Sequence, residues 1–417
     1  MARYAEGAMT LVSIDDARGF VLSSCRRLAP VRTLLMEAVG HVLAEPVRSS
    51  EPVPPFTNSS MDGYAVRSVD VRDAPTRLRV TRTLMAGDDP GTLVVGEGEA
   101  ARIMTGGVLP SGADAVCMVE HTRTEDGFVI IEEAVGPGTN VRPAGSDIAT
   151  GDEVFAAGAQ LSAAHIGVLA SLGMEEVLVY PRPRVGVIST GDELTSGPGP
   201  LKFGKVRDSN RPALLAQVKA DGFVPVDLGS AADEPLALTK TLQEAAQECD
   251  ALLTSGGVSV GDRDIVRMVV EKLGGQHARW LQVAVRPGKP FAFSTFPPKG
   301  TPLFGLPGNP VSALVSYELF ARPSLRLMAG HENLDRPRLV GRASVDLLRR
   351  PDGRLHLVRV HATASADGAL HVEPSGGQSS HQLHALASAN ALAFLPDGEG
   401  VAAGDIVEMM VLDADAL

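Results

Sequence analysis

From residue 184 to 328 the apolar positions change period repeatedly. The stretches "RVGVIST", "VPVDLG", "ALLTSGG" and "TPLFGLPGN" are short and almost continuously apolar, as strands covered on both faces are. Between and after them, "RPALLAQVKADG", "PLALTKTLQEAAQE", "DIVRMVVEKLGG" and "PVSALVSYELFA" carry apolar residues at helical spacing. Strands alternating with helices of this length predict a mostly parallel sheet wrapped by helices.

The flanks read differently. Residues 13–45 predict two helices: Ser13 is a candidate N-cap with Asp16 three positions on, and "TLLMEAVGHVLAEPV" has helical apolar spacing. "EPVPPFTNSSMDGYAVR" then breaks all periodicity with prolines and turn formers. From 54 to 142 short β-branched runs such as "LRVTRTL" and "GFVIIEEAV" lie between glycines and prolines. "DEVFAAGAQLSAAHIGVLASLGMEEVLVYPRP" returns to helix, with Pro181 and Pro183 as a linker, and short strands resume from about 336 to "GDIVEMMVLD". The expected organisation is a multidomain α/β chain. It has a helical linker domain (1–53 and 143–180), an inserted β-rich domain (54–142), a central α/β sandwich domain (181–330) and a C-terminal β-barrel domain (336–417).

Composition narrows the partners. The 417 residues suggest about three domains at roughly 150 each, and 44 % apolar content suffices for real cores. A formal net charge of −12 argues against a nucleic-acid binder, although a local basic pocket could still hold a small anion. Cys25, Cys117 and Cys249 are scattered and fit free thiols in a reducing compartment. The first twenty residues lack an apolar core of signal-peptide length, and no apolar run approaches the ~20 residues of a membrane span. A cytoplasmic protein with no membrane partner is expected.

In open parallel α/β sheets, ligands sit outside the carboxyl ends of the strands. After "VGVIS" the chain places Thr190, Gly191, Asp192 and Glu193; after "ALLT", Ser255, Gly256 and Gly257, with Asp262 and Asp264 beyond; after "LF", Gly305 to Pro310, leading into Ser312. Glycine lets backbone approach a ligand, a helix start offers free N–H groups to an anion, and Pro310 suits a first helical turn. One Gly-Pro turn merely ends a strand; three on one edge point to a phosphate-like ligand. The acids Asp192, Glu193, Asp208, Asp233, Asp262 and Asp264 are hard oxygen donors suited to Mg²⁺ with waters and substrate phosphate, although each alone could be a helix cap. In "VAVRPGKPFAF", Arg286 and Lys289 flank a turn and would supply positive charge for an oxyanion. Elsewhere, "NSSMDGYAVR" carries Asp62, "RIMTGGVLPSGADAV" Thr105, "RPAGSDIATGD" Arg142 and Asp147, and "SGGQSSHQLHALASAN" a Ser/Gly loop entering a helix. P-loop, Rossmann, zincin and nucleophile-elbow motifs are absent, and His381 with His384 has no third ligand nearby in sequence.

Taken together, "PPFTNSSMDGYAVR", "RIMTGGVLPSGADAV", "RPAGSDI", "GVISTGDEL", "VRDSNRPAL", "TSGGVSVGDRD", "VAVRPGKPFAF" and "LFGLPGNPVSALVSYELFARP" resemble, in order and over essentially the whole chain, the molybdopterin molybdenumtransferase (MoeA) family, which includes the gephyrin E domain. The resemblance implies four structural domains, the central one of molybdopterin-binding type, and an elongated homodimer with sites shared between protomers. It implies an enzyme that takes adenylylated molybdopterin and molybdate, hydrolyses the adenylate with Mg²⁺, and releases AMP and molybdenum cofactor. Carried over by motif, Asp62, Thr105 and Asp147 are catalytic positions around the partner-facing cleft; Glu193, Asp233 and Asp264 are the acidic catalytic positions, with Mg²⁺ on Glu193 and Asp264. Arg286 and Lys289 match basic positions near molybdate and phosphate, and Pro310 and Ser312 the turn framing molybdate. Arg354 and Ser380 match an Arg and a Ser reaching across the dimer. Thr190, Gly191, Asp192, Ser255, Gly256, Gly257 and Asn309 complete the expected substrate contacts. Implied partners are molybdopterin adenylyltransferase and the recipient molybdoenzymes or their chaperones.

There are departures: Arg286 stands where many members have Lys, Thr57 replaces a common Asp, and Ala391 a usual Gly. None removes a carboxylate. The adenylyltransferase of the preceding step and competence-damage-type nucleotide hydrolases share the α/β core, but the "NSSMDGYAV" module and the β-rich end favour insertion. A scaffolding role, as in gephyrin, finds no support in these residues.

Overall fold

The computed structural model describes residues 11–231, 234–257, 265–366 and 368–417. The described chain forms two compact units, one made of 32–39 and 43–178 and the other of the rest.

The first unit is built on a six-stranded sheet in the order Ala115–Met118, Gly63–Val66, Glu99–Ile103, Thr76–Leu84, Phe128–Ile131, Thr122–Glu125. Its side chains alternate between two cores, as a two-residue period requires. Tyr64 and Val66 pack with Leu78, Ala100 and Ile131, while Ala65 packs with Leu84, Ile103 and Val116. Polar loops are knitted beside it: Asn58–Ser59 pairs antiparallel with Val141–Arg142, and the Ser59 N–H donates to the Gly107 carbonyl at 3.0 Å.

The helix expected over "TLLMEAVGHVLAEPV" is absent. Short strands Val31–Leu34, Val42–Leu43 and Val47–Arg48 stand there instead. Gly40 sits at φ +82°, which breaks a right-handed helix. The Leu35 and Leu43 N–H groups are spent on the distant Glu175 and Ala159 carbonyls. The other expected helix is present at Ile14–Ser23, where the Ser13 hydroxyl accepts from the Asp16 N–H at 3.0 Å.

The second unit holds the expected α/β sandwich. Its elements run β1 (Arg184–Thr190), α1 (Asn210–Ala220), β2 (Val224–Ala231), α2 (Pro235–Glu248), β3 (Ala251–Ser255), α3 (Ile265–Gly274), β4 (Arg279–Gln282), β5 (Pro290–Phe296), β6 (Thr301–Leu306) and α4 (Pro310–Ser316). The sheet order is β2-β1-β3-β6-β5-β4, parallel from β2 through β6, with β5 antiparallel to both neighbours. Consecutive residues serve opposite faces. Val187, Leu253 and Phe304 pack with α1 and α4, and Ile188, Leu252 and Leu303 pack with α2 and α3. Burial on both sides explains the unbroken apolar runs in the sequence.

The chain closes with a five-strand barrel of β7 (Arg338–Ala343), β8 (Leu355–Ala364), β9 (Leu370–Pro374), β10 (Ala391–Leu395) and β11 (Ile406–Val411). Pairing of β8 with both β9 and β10 closes the ring. Val360, Ala362, Val372 and Met409 fill it, while Leu357, Leu392 and Met410 face outward into the α/β core. No helix among the described residues is long and apolar enough to cross a membrane.

Candidate active site

Parallel register brings the carboxyl ends of the central strands level, since Ser189 pairs with Ser255, and Ser255 with Leu306. The loops that follow touch. A Cβ on Gly256 (φ +95°) would stand 2.7 Å from the Thr190 carbonyl, so only glycine lets these two strand ends meet. The Gly256 N–H donates to the Leu306 carbonyl at 3.1 Å. Asn210, at the start of α1, donates from Nδ2 to Ser255 Oγ and to the Gly308 carbonyl, each at 2.7 Å. One amide thus ties together β3, the Gly-Asn-Pro turn and α1.

Asn210 drew no attention as a site residue in the sequence, where it appears only inside "VRDSNRPAL". Its Oδ1 is buried with no partner, so the side chain is held by its donors alone. Asn210→Ala leaves a buried hydroxyl and a carbonyl without donors, expected to cost about 1–3 kcal/mol. Amide exchange should quicken in 252–257 and 305–310. Protection there equal to wild type would show that the tie is redundant.

Apart from Arg286, Lys289, Arg354 and Ser380, the expected site residues fall into three groups. Thr190, Gly191, Asp192, Glu193, Ser255, Gly256, Gly257, Asn309, Pro310 and Ser312 all lie on the strand-end edge of the second unit. Thr190, Ser255 and Ser312 are buried, whereas Asp192, Glu193 and Asn309 are exposed. The Glu193 carboxylate folds back over Gly191, where a Cβ would meet its oxygens at 2.6 and 2.7 Å. In the first unit Asp62 and Thr105 touch: Asp62 Oδ1 accepts from the Thr105 N–H at 2.7 Å and its hydroxyl at 2.8 Å. The backbone N–H and then the hydroxyl hold the Asp62 carboxyl below the usual range. Asp147 is exposed and tied through its N–H to the Val53 carbonyl at 3.0 Å. Asp233 and Asp264 lie outside the described residues.

The helix start of α4 is busier than its sequence suggests. Pro310 has no N–H, and the Val311 N–H donates to the Ser380 carbonyl at 3.1 Å. The start of α4 therefore offers an anion fewer free N–H groups than its sequence suggests. The turn between β4 and β5 carries Arg286 and Lys289 against α4, for a Cβ on Gly288 would lie 2.9 Å from Ser316 Oγ and 3.8 Å from the Ser312 carbonyl.

Arg286 and Arg354 converge on Asp352. The Arg354 Nε donates to Asp352 Oδ2 at 3.0 Å, Arg286 Nη1 lies 3.7 Å from it, and Arg349 Nη2 and His356 Nε2 add contacts at 3.0 and 3.1 Å. Desolvation pushes the Asp352 carboxyl up, but the Arg354 and His356 contacts outweigh it and hold the group well below the usual range. Within this chain Arg354 thus sits beside Arg286, and Ser380 at the start of α4. Nothing in the spacing of "RPDGRLHL" marked Asp352 as their hub.

Three family models cover most of the chain: the MoeA N-terminal region (domain I and II) over 12–173, a probable molybdopterin binding domain over 186–327, and the MoeA C-terminal region (domain IV) over 344–412. This chain belongs to the MoeA family. Membership makes it a transferase of molybdenum cofactor biosynthesis. Among curated relatives, a molybdopterin molybdenumtransferase of a Nostoc species is 41 % identical over 379 residues, 88 % of this chain and 84 % of its own. One from Haemophilus influenzae is 36 % identical over 95 % of this chain and 98 % of its own length. A solved MoeA protein from Pyrococcus horikosii shares 29 % identity and a TM-score of 0.81, covering 97 % of this chain and 100 % of that one. The MoeA architecture is therefore shared from the first helix to the barrel.

Proposed function

We propose that this MoeA-family chain inserts molybdenum into molybdopterin, taking adenylylated molybdopterin and molybdate, cleaving the adenylate with Mg²⁺, and releasing AMP. The observation that carries the reading is the close approach of the Thr190, Gly256 and Gly308 strand ends, with Asn210 tying Ser255 to Gly308, beside a turn bearing Arg286 and Lys289. Bare backbone on one side and cations on the other suit a tetrahedral dianion next to a nucleotide-linked ligand.

In this reading Lys289, Arg286 and Arg354 attract and orient molybdate, with Ser312 framing it. The Thr190–Glu193 and Ser255–Gly257 loops seat the pterin-linked phosphates. Among the described residues no three His, Cys, Asp or Glu side chains gather into a metal cage. Mg²⁺ needs none, because it keeps several waters and takes one or two carboxylates with substrate phosphate, and exposed Glu193 at the strand ends fits that demand. Glu193, with Asp264, would hold the ion, which supplies charge neutralisation at the scissile phosphate when bound. Asp233 would be a further acid of the same edge. Asp62, Thr105 and Asp147 are assigned to closing the site of a partner protomer in a homodimer, in the cytoplasm. The preceding adenylyltransferase and the recipient molybdoenzymes or their chaperones are the assigned macromolecular partners.

The test is direct. Purified protein given adenylylated molybdopterin, molybdate and Mg²⁺ should yield AMP and active cofactor, and chelation of Mg²⁺ should stop both. ATP-dependent adenylylation of molybdopterin without AMP release would reassign the chain to the preceding step.

A further inference from the structure

The loop that leaves β1 beyond Glu193 carries none of the residues assigned so far. Residues 194–195 pair in parallel with 206–207, which closes the chain between them into a loop. Its end is tied to the strand-end edge: the Val206 N–H donates to the Glu193 carbonyl at 2.9 Å, and the Lys205 ammonium donates to the Asp192 carbonyl. The Arg207 guanidinium holds the loop's first half through the Gly197 and Gly199 carbonyls, the second at 2.8 Å. The tip is a tight turn, closed by the Lys205 N–H on the Lys202 carbonyl at 3.0 Å, with Gly204 at φ +81°. That turn leaves Phe203 fully exposed, with Leu201 and Val206 about half-exposed beside it. A single exposed apolar side chain needs no explanation, whereas three within six residues beside a ligand edge mark a contact surface. The ring also stands between two ammonium groups, those of the exposed Lys202 and Lys205.

We propose that Phe203 is the stacking platform for the adenine ring of adenylylated molybdopterin, with Lys202 and Lys205 adding positive charge at its flank. The proposal rests on the adenylylated-substrate reading of the strand-end site. Such a ligand offers two planar groups, adenine and pterin, and the sheet order separates them. The loop follows β1, the turn with Arg286 and Lys289 joins β4 to β5, and β3 and β6 lie between. From β1 to β5 is three strand spacings, about 14 Å. The dithiolene end belongs with the cations that attract molybdate, so the nucleotide end falls at β1. There Phe203 is within reach: at most about 11 Å of chain separates it from Val206, which is bonded to Glu193. Every base has a face to stack, and an ordered turn presents the ring with little further loss of freedom on binding.

The experiment uses the full chain with AMP as the probe, measured by isothermal titration calorimetry for wild type, Phe203→Ala and Phe203→Tyr. Molybdate affinity and sedimentation velocity are measured in parallel. Phe203→Ala should weaken AMP binding about tenfold, and Phe203→Tyr, which keeps the aromatic face, should bind it as wild type does. Molybdate affinity should be the same in all three proteins. Phe203 is fully exposed, so its removal takes nothing from a core and the melting temperature should stay level. Wild-type AMP affinity in Phe203→Ala overturns the proposal. An equal loss of molybdate affinity also overturns it, since the residue would then only support the loop. So does loss of an oligomer with AMP affinity intact, which would give the ring to a second copy of the chain. If wild type binds no AMP and releases none from adenylylated molybdopterin, the adenylate reading itself fails and the proposal falls with it. That result is distinct from a variant that keeps wild-type affinity.

Discussion

Lys289→Ala is expected to raise the molybdate concentration for half-maximal insertion by roughly 10- to 100-fold while leaving the rate at saturation within a few fold. The reason lies in how the cations of this edge are engaged. Arg354 and Arg286 both lean on Asp352, so part of their charge is answered within the protein. Lys289 is exposed and makes no ion pair among the described residues. Its ammonium is therefore the freest positive charge on the turn, and one charge-assisted contact is worth about 1.5–3 kcal/mol. Being exposed, it should also be screened, so the gap between variant and wild type should narrow at high salt. AMP release measured against molybdate at two ionic strengths reads both effects. A molybdate dependence identical to wild type would remove Lys289 from the seat.

The largest loss of stability should come from Arg336→Met, far from the strand ends. Arg336 donates from Nη2 to Asp221 Oδ1 at 3.0 Å and from Nε to Glu318 Oε2 at 2.7 Å. Arg322 and Tyr317 bind the same Asp221 at 3.0 and 2.9 Å. Glu318 is nearly sealed from solvent, so removing Arg336 leaves a buried carboxylate with only the more distant Arg322 Nε at 3.8 Å, at a cost of about 3–5 kcal/mol. The pH dependence follows from the direction of one shift. Desolvation raises the Glu318 pKa even with Arg336 pulling it down, and without Arg336 it rises further. A carboxyl whose folded pKa exceeds its unfolded one binds more protons in the folded state, so stability falls as pH climbs between the two values and recovers on acidification. Urea unfolding should accordingly show the Arg336→Met deficit shrinking from pH 7.5 to 5.5. A deficit independent of pH would mean that Glu318 is not the group left behind.

Much of this architecture can be read from the chain because it is local. The runs that became β1, β3 and β6 are continuous apolar stretches ending at glycine, and the helices between them keep a clean stripe. What misleads is non-local. The spacing of Leu34, Leu35, Ala38 and Val42 imitates a helix, yet the backbone there is claimed by residues more than a hundred positions away, which no window of sequence displays. The same holds at the site. Strand-end glycines announce a ligand edge, but Asn210 acts on partners 45 and 98 residues distant, and Asp352 gains Arg286 through the pairing of 285–286 with 355–356. The α4 start looks open in sequence only because the carbonyl that occupies it arrives from the 375–380 loop.

The turn that carries Arg286 belongs to two sheets at once. Its stem continues β4 and β5 of the sandwich, while Val285 and Arg286 pair in parallel with Leu355 and His356 of the barrel. A segment stitched on both sides cannot swing like a lid. It can move only if barrel and sandwich shift together. Substitutions that loosen the barrel lining, such as at Val360 or Met409, should therefore register as altered anion affinity before any loss of overall folding is detected.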